Sequence, residues 1–121
     1  MSCPELLFDP NKDGLTCKSM PDLAWSSVMQ SDIDVRKDLC RNIIMSGGST
    51  MYDGIADRLK SELVSRAPSG AEIRIVAAAD RKFAVWKGAS ILSSLSTFGS
   101  NWISSDDYNE VGTSIVHKKC K

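Results

Sequence analysis

The stretch that most constrains this chain runs from residue 43 to residue 77, where two short apolar runs flank a glycine pair and an amphipathic segment. Ile43, Ile44 and Met45 form a continuous apolar run of the kind found in a strand covered on both faces. Gly47 and Gly48 then mark a turn. Beyond it Ile55, Leu59 and Leu63 recur every four residues, with Asp57, Arg58, Lys60 and Glu62 between them, which predicts a helix with one face on a core. Asp53 is the expected N-cap of that helix, and Pro68 with Gly70 ends it. "EIRIVA", residues 72 to 77, sets Ile73 and Ile75 against Arg74 and reads as a second strand. Strand, helix and strand in this order predict a parallel crossover unit of right hand.

Only these two strands are convincing in a chain otherwise patterned as helix. A lone strand pair is marginal unless helices cover it, and parallel strands normally lie within larger sheets. The fold class expected is therefore α/β, mostly helical around a short parallel strand–helix–strand unit, with the other strands of the sheet lying elsewhere.

Around this unit the helical signals are local. Ser19 to Asp22 and Ser31 to Asp34 have the spacing of helix starts, and Pro21 suits a first turn. The first helix is expected to bury Ala24, Trp25, Val28 and Met29. The second is expected to bury Val35 and Leu39 and to expose Arg36, Lys37 and Arg41. Past residue 80, "FAVWKGASILSSL" spaces Val85, Trp86, Ala89, Leu92 and Leu95 at helical steps, and a last helix over "SSDDYNEV" is stopped by Gly112.

Composition excludes several classes of function. The 121 residues carry 15 basic and 15 acidic side chains, so no global field attracts nucleic acid or an anionic membrane. No apolar stretch approaches the ~20 residues of a membrane-spanning helix, and "MSCPELLFDP" is a poor signal peptide, so the expected location is cytoplasmic. Cys3, Cys17, Cys40 and Cys120 lie far apart with a single histidine, His117, which is no zinc spacing; reduced thiols are expected. "DPNKDG" opens like a calcium loop, but Met20 stands where a bidentate glutamate is required, so the segment reads as an Asx turn.

The glycine turn has two readings on local pattern: a structural turn, which is favoured, or a ligand contact in which the backbone approaches closely at a helix start. It matches neither a phosphate-binding P-loop nor a dinucleotide fingerprint. Lys82, after the second strand, falls near the same sheet edge if the strands are parallel, which is where open α/β sheets bind ligands; the alternative is a solvated lysine. Ser46 and Ser49 have no histidine or acid close in sequence, so a hydrolytic triad is not expected.

Five longer strings carry more information than any of these patterns: "MSGGSTMYDGIADR", "DRKFAVWKGASIL", "LSTF", "WIS" and "SIVHKKC". They resemble the actin strings "LSGGxTMYPGIADR", "ERKYxVWIGGSIL", "LSTF", "WIS" and "SIVHRKC", and "CPELLF" and "DIDVRKDL" resemble segments upstream of them. The resemblance runs from Cys3 to Cys120 and covers the C-terminal third of an actin. It implies a partial actin-like ATPase fold, of the ribonuclease H-like kind. Residues 1–15 are then similar to the end of subdomain 4, residues 16–83 to subdomain 3, and residues 84–121 to the C-terminal part of subdomain 1.

Actins hold ATP or ADP with Mg in a cleft between two lobes. By resemblance, Gly47, Gly48, Ser49, Met51, Tyr52 and Lys82 fall at the adenosine side of that cleft, and the resemblance implies no metal ligand in this chain. The hairpins that grip the phosphates, and the residues that position the attacking water, precede the matched region in actins. This chain alone is therefore not expected to hydrolyse ATP. Ile91, Leu92, Leu95 and Thr97 match the barbed-end cleft, where actin subunits and regulators of profilin-like or gelsolin-like type dock; periodicity alone reads them as core packing. Departures from the actin strings include Asp53, Ala78, Ala79, Lys87, Ala89, Gly99, Asn101 and Lys121. Three expectations follow: a cytoskeletal actin-family protein or fragment, a non-enzymatic module binding actin regulators or capping filaments, or a partial copy without independent function, aggregating through open strand edges.

Overall fold

Ile55, Leu59 and Leu63 face inward together along one helix, α3 (Ile55–Arg66), and each is buried. This computed structural model describes residues 3–120; Met1, Ser2 and Lys121 lie outside them. The chain divides into two compact units, Met1–Phe83 and Ala84–Lys121.

In the first unit, α3 packs beneath a two-stranded parallel sheet. Strand β1 (Ile43–Ile44) pairs with β2 (Ile75–Val76), with Ile43 opposite Ile75 and Ile44 opposite Val76. Ile43 and Ile75 pack against the core formed by Cys40, Met45, Ile55, Leu59, Leu63 and Ile73. Alternation along a strand sends the next residues to the opposite face, and there Ile44 is 73% and Val76 37% exposed. The expectation of a strand covered on both faces is thus corrected, because the described helices pack on one side of the pair.

Two further helices flank the sheet. In α1 (Met20–Gln30), Ser19 is the N-cap: its Oγ accepts the Asp22 N–H at 3.3 Å, and Pro21 fits the first turn. Ala24, Trp25 and Val28 pack on the core as expected, whereas Met29 is exposed. Helix α2 (Ile33–Arg41) starts one residue later than its Ser31 signal, at Asp32. Ser31 closes α1 instead, its hydroxyl donating to the Ser27 carbonyl at 3.0 Å.

The inward face of α2 also differs from expectation. Val35 and Leu39 are exposed, and Cys40 is buried. The Cys40 carbonyl accepts the Arg74 N–H at 3.0 Å, which holds the end of α2 against the approach to β2. Likewise Asp53 does not cap α3. Gly54 is the N-cap, at φ +75°, a conformation that glycine adopts without strain, and no side chain caps this end.

The "DPNKDG" segment folds as a 3-10 turn, Pro10–Asp13, closed by Gly14 in the left-handed conformation. Among the described residues no group of three or more acidic, histidine or cysteine side chains is arranged to hold a metal. Nor is any helix among them long and apolar enough to cross a membrane.

The second unit contains α4 (Ala84–Ser94), a 3-10 segment (Ser96–Asn101), α5 (Ser105–Val111), a 3-10 turn (Gly112–Ile115) and α6 (Val116–Lys119). Ser104 and Asp107 form a capping box, and Gly112 ends α5 as expected. Lys119 Nζ ties α6 to the preceding helix, donating to Asp107 Oδ2 at 2.6 Å and to the Trp102 carbonyl at 2.8 Å. Helix α4 forms where its spacing predicts, but no residue on it is buried. A segment this short cannot supply a second layer to cover the Val85, Trp86, Ile91 and Leu92 side chains.

Candidate functional site

The glycine turn begins where β1 stops. Met45 N–H still donates to the Val76 carbonyl at 2.9 Å, continuing the parallel ladder, and Gly47 N–H then donates to the Arg81 carbonyl at 3.0 Å. Gly47 sits at φ +94°, ψ 159°, an extended conformation of left-handed sign that a side chain strains. A 3-10 turn, Gly48–Thr50, follows, with Thr50 N–H donating to the Gly47 carbonyl at 3.1 Å and Met51 N–H to that of Gly48 at 3.1 Å.

Arg81 and Thr50 fix this turn against the segment after β2. Arg81 Nε donates to the Thr50 carbonyl at 3.0 Å and to its hydroxyl at 3.1 Å, and Nη2 reaches the same carbonyl at 2.7 Å. Arg81 Nη1 donates to the Ala78 carbonyl at 2.9 Å. The Thr50 hydroxyl in turn donates to the Gly47 carbonyl at 2.7 Å. Neither residue was singled out from the sequence. The available signal was a guanidinium one residue before Lys82, with its planar fork suited to two acceptors at once.

This clamp brings Gly47, Gly48 and Lys82 to one junction. A Cβ placed on Gly48 would lie 4.0 Å from Lys82 Cγ, and one on Gly47 would meet nothing within 4 Å. The backbone at the two glycines is therefore open to a group that approaches it closely. Lys82 is exposed and its Nζ lies 5.3 Å from the centre of the Phe83 ring. Ser49 is exposed on the same 3-10 turn, with no base beside it in the described hydrogen bonds.

Met51 ends that turn and is 40% exposed, and Tyr52 is 49% exposed. Tyr52 lines a cavity of about 380 Å³ with Pro4, Glu5, Phe8 and Arg58. The Arg58 guanidinium stacks 5.0 Å from the Phe8 ring centre and pairs with Glu5 at 3.2 Å and Glu62 at 2.9 Å. Half-exposed apolar and aromatic side chains, Met51 and Tyr52, thus follow the open glycines directly in the chain. The described residues show no matching set of carboxylates for a metal.

The second group of expected site residues lies in the second unit. Leu92 lines an open groove with Trp86, Ala89, Phe98 and Trp102, and the last two rings meet edge to face at 5.5 Å. Ile91 and Leu95 are exposed at 64% and 49%, and Thr97 is exposed at the start of the 3-10 segment. Core packing, the reading that periodicity alone favours for these residues, does not hold within this unit.

A family model described as Actin matches residues 1–121.

Proposed function

The chain belongs to the actin family, and from that membership we propose that its glycine turn forms the adenosine side of a nucleotide cleft. Gly47, Gly48 and Ser49 would admit the ligand against the backbone, Met51 and Tyr52 would supply apolar and aromatic surface, and Lys82 would stand near the base. The observation that carries this reading is the open space over Gly47 and Gly48, held in place by Arg81. When bound, ATP or ADP with Mg would bring its own phosphate charge and metal, for which these residues offer no ligands. The chain is then a cytoskeletal, cytoplasmic actin-family polypeptide that binds the nucleoside and does not hydrolyse the triphosphate by itself.

The test is a titration of the 121-residue chain with adenosine and with Mg-ATP, followed by amide NMR. Both ligands are expected to shift the Gly47, Gly48, Met51 and Tyr52 amides to the same extent. A response to Mg-ATP alone, or none at these amides, sinks the reading.

A second reading rests on the uncovered α4 groove. Ile91, Leu92, Leu95 and Thr97 would dock an actin subunit or an actin regulator of profilin-like or gelsolin-like type. Unchanged binding of such a partner after Leu95→Asp would remove it, because a carboxylate on an apolar docking surface carries a large desolvation cost.

A further inference from the structure

On the other side of the first unit, α1 and α2 and the turn at residues 68–71 enclose a second cavity, of about 420 Å³. Its size lies within the range of small-molecule sites, which begins near 300 Å³. One wall is apolar, formed by Trp25, Val28 and Met29, with buried Cys40 at the same wall. The small thiol leaves room that a larger side chain at this position would fill.

The other lining groups are unbalanced in charge. Arg36, Lys37 and Arg41 all line the cavity, against the single carboxylate of Glu72. Glu72 Oε2 pairs with Arg41 Nη2 at 2.6 Å. Arg36 spends its Nε and Nη2 on the carbonyls of Ser31 and Met29, at 3.0 and 2.8 Å, which cap the end of α1 but do not neutralise its charge. Arg41 Nε is shut off from solvent and has no acceptor, an arrangement that costs free energy unless something supplies one.

We infer that this cavity binds a small amphiphilic anion, an apolar body carrying one carboxylate. The apolar body lies along Trp25 and Met29 and the carboxylate meets the cations of α2. The site is separate from the glycine turn and does not depend on the nucleotide reading. An apolar wall beside two cations without a carboxylate partner in the cavity favours this ligand over a neutral or cationic one, since a charge-assisted bond is stronger than a neutral one.

The experiment uses decanoate, decanol and decyltrimethylammonium as probes on the full chain, in a Trp86→Phe, Trp102→Phe background. Both replaced rings are largely exposed, so Trp25 becomes the reporter. Decanoate is expected to change Trp25 emission saturably and to slow maleimide labelling of Cys40 without altering that of Cys17 or Cys120. Decanol should bind at least about tenfold more weakly, having no charge to meet the cations. Met29→Glu, a change at a half-exposed position that leaves the core intact, should abolish the decanoate response. Equal binding of decanoate and decanol, an unchanged response in Met29→Glu, or no saturable response would each overturn the inference. Binding of the ammonium probe in place of decanoate would do the same.

Discussion

Arg81 holds Thr50 by three hydrogen bonds across 31 positions of sequence, two to the carbonyl and one to the hydroxyl. The glycine turn is therefore shaped by a residue that follows the neighbouring strand at the same sheet edge and not by its own glycines alone. A half-exposed guanidinium making bonds to neutral oxygens contributes modestly, and Arg81→Met should cost about 1–2 kcal/mol. The stronger signature is local: amide exchange at Gly47 and Met51 should quicken by more than that at Leu63. Equal acceleration at all three would mean that Arg81 acts on the whole unit and not on the turn.

Gly47 and Gly48 should answer differently to alanine. At Gly47 the added methyl meets nothing, so the cost is backbone strain at φ +94°, about 1–2 kcal/mol. At Gly48 the backbone is of ordinary sign and the nearest atom, Lys82 Cγ, is 4.0 Å away, so Gly48→Ala should be close to neutral. Urea unfolding followed by Trp25 emission in the Trp86→Phe, Trp102→Phe background measures both, and a cost at Gly48 equal to that at Gly47 would contradict the geometry.

Leu63 is 1% exposed at the centre of the α3 face, and Val64 beside it is 51% exposed. Leu63→Ala removes buried methyl groups and leaves a cavity, at about 2–5 kcal/mol. Val64→Ala should fall within about 0.5 kcal/mol of the parent. Unfolding curves of the two variants decide whether α3 carries the core as its burial indicates.

Acid should destabilise the first unit through two carboxylates. The Ser19 hydroxyl and then the Arg66 guanidinium hold Asp22 below the usual carboxylate range, and Arg66 followed by Arg58 does so for Glu62. Both folded-state values are depressed, so their stabilisation is complete above the unfolded pKa of about 4 and is lost as pH falls through the folded values. Unfolding midpoints should stay level from neutral pH down to about 5 and fall below about 4. Arg66→Met should lower the midpoint at neutral pH and flatten the acid limb; an identical acid limb would refute the assignment.

The pair Asp107 and Lys119 provides the same test in the second unit. Lys119, then Ser104, hold the Asp107 carboxyl far below its ordinary value. Asp107→Asn keeps the shape but removes the charge, so helix content of this unit should drop at neutral pH and lose its sensitivity to acid. Circular dichroism of the variant against the parent reads this directly.

Much of the architecture was legible where neighbours in sequence are also neighbours in space. The four-residue step of Ile55, Leu59 and Leu63, the cap at Ser19, and the stop at Gly112 all depend on local geometry. The strings around Gly47, Lys82 and Leu92 also sufficed for the family, since long matching strings carry more information than periodicity.

Tertiary structure alone decided which faces are covered. Val35 and Leu39 have the same apolar character as a core pair, yet Cys40 is the buried residue of α2, at the end that the Arg74 N–H holds against the approach to β2. Asp53 has a capping side chain, yet the chain enters α3 through the left-handed Gly54. Helix α4 has an amphipathic spacing, yet nothing in its own unit covers it. Burial depends on what other segments bring to a surface, and the Arg81 bonds to Thr50 span a distance in sequence that no local pattern encodes. The sequence thus determined the elements and their family, while packing determined the open glycine junction and the charged cavity beside Cys40.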